Sequence, residues 1–82
     1  MTQKEILKLI ELAAIAGRTV LDLSGNELTS LPLEVATLTH LTNLNLNNNR
    51  LTGLPPEIGN LKSLDRLSIR NNRLTSLPSE IE

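Results

Sequence analysis

Residues 41–63 read LTNLNLNNNRLTGLPPEIGNLKS, and this stretch decides the fold. Its aliphatic residues stand at fixed intervals, which gives the pattern LxxLxLxxNxLxxLPxEIxxLxx. Shifting the chain by 23 residues places the same pattern on residues 18–40 and again on residues 64–82. Three copies of one unit therefore fill most of the chain. A repeat of this length is typical of a solenoid, in which each unit packs on its neighbours.

Alternating leucines at the start of each unit predict a short β-strand with one buried face. Leu21 and Leu23 alternate with other residues, and the same alternation returns at Leu44 and Leu46 one unit later. Because a crossover segment separates these strands, they should lie side by side and parallel. A Leu-Pro pair then begins each return segment. We predict an irregular or 3₁₀-helical segment there, since proline fixes its own φ and restricts the residue before it.

One asparagine follows each predicted strand at the same place in the unit. A buried amide side chain both donates and accepts hydrogen bonds, so it can satisfy backbone groups of neighbouring coils that have no other partner. We therefore predict a structural role for these side chains and not a ligand-binding one. The predicted asparagine ladder consists of Asn26, Asn49 and Asn72.

Residues 1–17 lie outside the repeat and are typical of an amphipathic helix. Thr2 and Glu5 have the spacing of a capping box, and Gly17 suits the left-handed residue that ends a helix. Apolar residues recur at helical spacing between these ends. Because the first coil of a solenoid needs its hydrophobic cross-section covered, we predict that this helix caps the array. A helix that binds a partner or a membrane surface is the alternative.

The repeat unit resembles the leucine-rich repeat family in its short, 23-residue Leu-Pro form, which is familiar from bacterial and plant intracellular arrays. The resemblance covers about residues 18–82 and implies an α/β, right-handed solenoid with a short parallel sheet on its concave face. The expected single domain has a capping helix at residues 1–17 and repeats at 18–40, 41–63 and 64–82, the last truncated. Similar arrays are attached to Roco-type GTPases, so the resemblance also allows a catalytic domain in a longer parent chain.

The composition argues against several classes of function. The 8 lysines and arginines face 9 acidic residues, and this net charge of −1 does not favour a nucleic-acid binder. The absence of cysteine excludes disulfides and thiolate chemistry and fits a reducing compartment. The sequence contains neither a signal-peptide pattern nor a run of roughly 18 apolar residues, so we expect a cytoplasmic protein without membrane contact.

Patterns for catalysis and metal binding are equally scarce. His40 is the single histidine, and no cysteine or second histidine completes a metal site with it. The sequence has no glycine-rich phosphate loop and no arrangement of a nucleophile with a base. We therefore predict a non-catalytic protein-interaction module or engineered repeat scaffold without cofactor or metal, whose partner is a protein or peptide.

Outward-facing strand positions form the predicted concave surface, where leucine-rich repeat arrays usually bind partners. These positions change from acidic in the first unit, through asparagine-rich in the second, to basic in the third. Arginine binds carboxylates through paired hydrogen bonds, so an acidic protein segment is one candidate partner; the alternative is that these arginines are simply solvated. The candidates are Asp22, Ser24, Asn43, Asn45, Asn47, Arg66, Ser68 and Arg70.

The third unit also allows a structural function. The sequence has no second capping element after it, which predicts an edge strand near residues 65–70 with exposed apolar side chains. This pattern fits a truncated natural array, a designed array, or a self-assembling unit that forms a homodimer through this edge. The candidates for self-association are Leu67, Ile69, Leu74, Leu77 and Ile81.

Overall fold

The computed structural model describes residues 2–75. Within this range a helix comes first and short strands follow, separated by two 3₁₀ helices, Leu33–Thr37 and Pro56–Asn60. The order confirms the predicted α/β arrangement of a helix followed by parallel strands. The remaining elements are α1 (Gln3–Ala16), β1 (Val20–Asp22), β2 (Asn43–Asn45) and β3 (Arg66–Ser68).

The strands form one parallel sheet in the order β1-β2-β3. Its register follows the repeat, because Leu21 lies beside Leu44 and Leu44 lies beside Leu67. Each strand has only three residues, so β3 is shorter than the edge strand expected over residues 65–70. Backbone hydrogen bonds continue the ladder beyond the strands: the Leu46 amide donates to the Ser68 carbonyl at 2.7 Å.

Aliphatic side chains from successive coils build the core. Leu23, Leu46 and Leu51 are fully buried, and the strand residue Leu44 is 1% exposed. From the opposite side, one residue of each 3₁₀ helix closes the same cluster, as Val35 does in the first coil. The chain has no aromatic residue, so burial of these leucines supplies most of the apolar area that stabilises the fold.

The return segments begin at the prolines that the repeat places after a leucine. Pro32 and Pro55 are extended, with ψ of 140° and 144°, and a 3₁₀ helix starts directly after each of them. Each 3₁₀ helix is closed by an i to i+3 hydrogen bond, such as the one from the Leu38 amide to the Val35 carbonyl at 3.1 Å. The prediction of 3₁₀-helical return segments is thus confirmed.

Helix α1 begins and ends where the sequence predicts. At its start, the Glu5 amide donates to Thr2 Oγ1 at 3.2 Å, and the Thr2 amide donates to Glu5 Oε1 at 2.8 Å. This reciprocal pair is the capping box. At its end, Gly17 is left-handed with φ of 63°, and its amide donates to the Ala14 carbonyl. Within residues 2–75 the structure has no helix long and apolar enough to span a membrane.

One face of α1 joins the core of the repeats. Ile6, Ile10 and Ala13, spaced four and three residues apart, are buried and belong to the same hydrophobic cluster as the strand leucines. The helix packs against the first 3₁₀ helix. Ile15 lies on the opposite side and is 85% exposed. The apolar face of α1 is therefore buried against the first coil.

The capping box makes the stability of α1 sensitive to acid. The pKa of Glu5 lies below its ordinary value because the backbone amide of Thr2, and then its side chain, hydrogen-bond the carboxylate. A carboxyl whose pKa is lowered by folding stabilises the folded state above its unfolded pKa, and this contribution is lost as the pH falls through the folded pKa.

We therefore expect Glu5→Gln to reduce the free energy of unfolding at neutral pH, and the difference from wild type to shrink as the pH falls below about 4.3. Urea unfolding followed by circular dichroism at several pH values measures this difference. Glu11→Gln is the matched control, because it removes an exposed carboxylate from the same helix outside the capping box. A constant difference between wild type and Glu5→Gln down to pH of about 3 would contradict the expectation.

Candidate functional site

The outward side of the three strands, together with the residues at which they end, forms one surface that we call the sheet face. In the sheet register, Val20 lies beside Asn43 and Asn43 beside Arg66. Neighbouring strands are about 4.8 Å apart, so the face from β1 to β3 is roughly 10 Å wide. A shallow depression lies on it. The lining residues are Val20, Asp22, Asn43, Leu44, Asn45, Arg66 and Ser68.

The sheet face continues beyond the strands through Ser24, Asn47 and Arg70, which occupy the same position in successive coils. Asn47 Oδ1 accepts a hydrogen bond from the Arg70 backbone amide at 2.7 Å, which holds the second and third coils together. A second depression adjoins the first and shares Arg66 and Ser68 with it. The structure therefore places the eight residues predicted to bind a partner along one continuous face.

Two of these residues also close the turn after their strand. Asp22 Oδ1 accepts from the Ser24 amide at 2.9 Å, and Asn45 Oδ1 accepts from the Asn47 amide at 3.0 Å. The pKa of Asp22 lies below its ordinary value because the side chain and the backbone amide of Ser24 hydrogen-bond its carboxylate. Asp22 is therefore held in a fixed position and carries a negative charge at neutral pH.

The third coil supplies positive charge that has no protein partner in the described structure. Arg66 and Arg70 are exposed, and within residues 2–75 neither guanidinium forms a hydrogen bond or ion pair. The described residues contain an ion pair between Arg50 and Glu27, but its atoms are 4.0 Å apart and both side chains are exposed. Such a pair contributes little. The sheet face thus runs from a negative end at β1 to a positive end at β3.

The asparagine at the end of β2 bridges two coils from inside the structure. Asn49 is 6% exposed, and its Oδ1 accepts from the backbone amides of Asn26 and Leu28, both at 3.0 Å. Its Nδ2 donates to the carbonyls of Leu23 and Leu46, also at 3.0 Å. A longer bond joins the same Nδ2 to the Asn47 carbonyl at 3.3 Å. One side chain therefore satisfies two backbone donors and three backbone acceptors, so Asn49 is unavailable for binding a ligand.

The other two asparagines of the ladder are half-buried and make similar bonds. Asn72 Oδ1 accepts from the Leu51 amide at 3.1 Å, and its Nδ2 donates to the Leu46 carbonyl at 2.8 Å. Asn26 donates to the Leu23 carbonyl at 3.0 Å. Within residues 2–75 every buried side-chain nitrogen and oxygen has a hydrogen-bond partner.

A second set of residues at the strand ends was not recognised from the sequence as conformationally special. Gly25, Asn48 and Asn71 share one repeat position and have positive φ, at 68°, 60° and 57°. Glycine and asparagine tolerate this conformation best. The alignment of one glycine with two asparagines could therefore have predicted the positive φ from the sequence. Asn71 Nδ2 also donates to Asn48 Oδ1 at 2.8 Å. Glu27 has φ of 56° without any such signal.

The residues predicted to form an exposed apolar edge are partly covered. Leu67, Ile69 and Leu74 are half-buried and pack against the core, so their exposure is intermediate and not complete. Their contacts with the second coil remove part of their surface from water. Their counterparts Leu44 and Leu46 are nevertheless almost fully buried. Two further candidates, Leu77 and Ile81, lie outside the described residues.

The sequence predicts a chain without a metal site. Residues 2–75 contain no group of three or more histidine, cysteine, aspartate or glutamate side chains placed to hold a metal ion. His40 is exposed in the turn that follows the first 3₁₀ helix.

Comparison with known proteins agrees with the repeat. A family model described as leucine-rich repeats in two copies matches residues 19–56 and again residues 39–81. A solved leucine-rich repeat protein of Leptospira interrogans is similar to this chain, with a TM-score of 0.73 and 49% sequence identity. The match covers 74% of this chain and 16% of the Leptospira chain, and no curated protein sequence matches. Since the family model covers well over half of the residues, the chain belongs to the leucine-rich repeat family, whose members generally mediate protein–protein interactions.

Proposed function

We propose that this chain is a non-catalytic protein-interaction module that binds a protein or peptide on its sheet face. The observation that carries the proposal is that one side of each strand faces the core and the other side faces outward. Leu44 and its counterparts point into the core. Asn43, Arg66 and Arg70 lie on one continuous outer face, and within residues 2–75 their side chains form no hydrogen bond or ion pair with the protein. Family membership supports the same function, since leucine-rich repeat proteins generally bind other proteins.

The proposal includes a right-handed solenoid in which the sheet face is concave and α1 caps the first coil. Right-handed connections are the rule between parallel strands of one sheet. Burial of Ile6, Ile10 and Ala13 in the common core supports the capping role, and one continuous cluster from α1 to Leu61 supports a single structural domain. The absence of cysteine supports a reducing, cytoplasmic location, and the net charge of −1 supports a protein partner over a nucleic acid.

Peptides that are selected for binding to this protein from an unbiased displayed library test whether the sheet face is the binding site. Asn43 lies in the middle of the face, is half-buried, and makes no side-chain hydrogen bond within residues 2–75, so Asn43→Tyr should block the face without removing a structural bond. We expect this change to weaken the selected binders at least about ten-fold, because the ring displaces ligand contacts at the centre of the site.

Thr39→Tyr is the matched control, since it adds the same ring to an exposed turn outside the sheet face. Fluorescence anisotropy of the labelled peptides measures both affinities. Binders that are insensitive to Asn43→Tyr would place recognition on another surface and overturn the proposal.

Self-association through the third coil is a second candidate function. The observation that favours it is the accessible surface that Leu67, Ile69 and Leu74 retain, compared with the almost complete burial of Leu44 and Leu46. A two-fold symmetric pair would cover this surface in the commonest closed arrangement. Light scattering with refractive-index detection measures solution mass without aromatic absorbance, which this chain lacks. A monomer mass at every concentration would exclude this candidate.

A further inference from the structure

We infer that the partner of the sheet face is an acidic, extended protein segment that places two carboxylates on Arg66 and Arg70. The inference rests on the proposed function and names the chemical class of its ligand. The charge changes from one edge of the sheet to the other. Asp22 gives the β1 side a fixed negative charge, the β2 side carries neutral amides, and the β3 side carries the two arginines.

The two arginines are available for a ligand. Both side chains are exposed, and within residues 2–75 neither one is engaged by a carboxylate of the chain itself. Arg73 is also exposed near the same end of the third coil, while Asp65 is the exposed acidic residue just before β3. The local balance on this side is therefore positive. Arginine is suited to this task because its planar guanidinium binds a carboxylate through two parallel hydrogen bonds.

The spacing of the arginines limits the form of the ligand. Arg66, Ser68 and Arg70 alternate along one side of the chain, and the parallel ladder extends to Arg70, whose carbonyl accepts from the Asn48 amide at 2.8 Å. Four residues of extended chain span roughly 13 Å. This is the spacing of the two Cα atoms, and each arginine can meet its own carboxylate directly if the ligand has two carboxylates at the same spacing. Two acidic residues separated by three others in an extended segment have the same spacing, so we assign the ligand this pattern.

The middle of the segment would lie over polar side chains. Ser68 and Asn43 line the same depression as Arg66, and an amide and a hydroxyl together supply both donors and acceptors. The backbone of an extended segment presents the complementary groups. The first strand adds direction to the complex: Asp22 repels an acidic residue and favours a basic or neutral one on that side. The segment is thus held with its acidic side toward the third coil.

The character of the binding also follows from the surface. The chain has no aromatic residue, so its half of the interface lacks the large anchors that dominate many tight complexes. Most of the binding free energy must then come from exposed, charge-assisted hydrogen bonds. Binding of this kind weakens as salt is added, because dissolved ions screen the attraction between solvent-exposed charges.

The test uses fluorescein-labelled, serine-rich peptides that carry two glutamates separated by three residues. One control peptide has glutamine at both positions, and another has the two glutamates adjacent. Fluorescence anisotropy titrations with the full chain, at low salt and at about 0.15 M salt, give the affinities. We expect the spaced glutamate peptide to bind tightest and to lose affinity with salt. Equal binding of the glutamine peptide would overturn the inference.

Substitutions in the protein test whether the carboxylates of the peptide bind Arg66 and Arg70. Arg66→Gln and Arg70→Gln should each weaken the spaced peptide about ten-fold, because each removes a charge-assisted pair. Neither guanidinium supports the fold, so circular dichroism of both variants should match wild type. Lys62→Gln removes the same charge from an exposed turn outside the sheet face and should change affinity less than about two-fold. Equal losses in all three variants would show non-specific attraction and contradict the inference.

The library-selected peptides separate this inference from the proposed function. Selected binders that Asn43→Tyr weakens, but that lack acidic residues and tolerate Arg66→Gln, would leave the sheet face as the site and refute the acidic ligand. Binders that ignore Asn43→Tyr would refute the site itself. Binders that are enriched in spaced acidic residues and are weakened by both changes support the two together.

Discussion

Asn49→Ala is expected to remove a large part of the stability of this protein. The substitution deletes five hydrogen bonds, from the amides of Asn26 and Leu28 and to the carbonyls of Leu23, Leu46 and Asn47. The two amides lose their partner, which costs about 1–3 kcal/mol each for a buried group. The Leu23 and Leu46 carbonyls keep a second bond, from Asn26 Nδ2 and Asn72 Nδ2. The loss of the two amide bonds therefore sets the scale, and we expect a total loss of about 2–6 kcal/mol. A domain of 82 residues has about 4–12 kcal/mol of stability in all.

Urea unfolding followed by circular dichroism measures this effect, since the chain has no tryptophan or tyrosine to report by fluorescence. Asn26→Ala is the matched control at the same repeat position. The Asn26 side chain makes one bond, to the Leu23 carbonyl, and is half-buried, so its loss should cost about 1 kcal/mol. Equal urea midpoints for the two variants would mean that the bridging bonds of Asn49 do not stabilise the array.

The repeat made the position of Asn49 predictable but not its partners. A shift of 23 residues aligned it with the other two asparagines, and the burial rule for amides then predicted a backbone-satisfying role. Which amides and carbonyls it meets depends on the parallel register of neighbouring coils. In the structure Asn49 reaches Leu23, 26 residues earlier, while Asn72 reaches Leu46 in the same way. Contacts at that separation follow only from the three-dimensional fold.

The candidate site, too, could be predicted from the sequence only in part. Alternation of leucine with other residues was enough to predict which side chains face outward, because the strand period is two. It did not reveal that Asp22 and Asn45 accept hydrogen bonds from the residue two positions later. Those bonds come from the turn after the strand. The left-handed φ of Glu27, at 56°, was not predictable either, because glutamate is not a residue type that favours this conformation.

The third coil shows where local pattern is insufficient. By its position in the repeat, Leu67 corresponds to Leu44 and Ile69 to Leu46. From the sequence, however, both were predicted to lie at an exposed edge. The structure gives an intermediate result, with both side chains half-buried against the core. Burial depends on how many neighbours surround a coil, and a periodic sequence does not encode that number.

Ile10→Ala is expected to destabilise the protein far more than Ile15→Ala, although both changes occur in α1. Ile10 is 1% exposed within the common core, whereas Ile15 is 85% exposed. Deleting a buried isoleucine side chain costs about 2–5 kcal/mol, while an exposed substitution is usually within about 0.5 kcal/mol. The change in helix propensity is the same in the two variants, so it cancels in the comparison. Thermal and urea unfolding measure the two losses.

This pair of variants also tests whether α1 caps the array, because a capping role predicts which coil is destabilised when the helix contact is weakened. The buried face of α1 packs on the first coil, so Ile10→Ala should accelerate amide hydrogen exchange at Leu23, whose amide donates to the Asn45 carbonyl at 2.8 Å. Exchange at Leu46, one coil further on, should change less. If Ile10→Ala costs no more than Ile15→Ala, the buried face of α1 does not stabilise the first coil and the capping role is wrong. A large loss with equal acceleration at both amides would mean instead that the helix and the repeats unfold as one unit, so that the cap stabilises the whole array rather than its first coil.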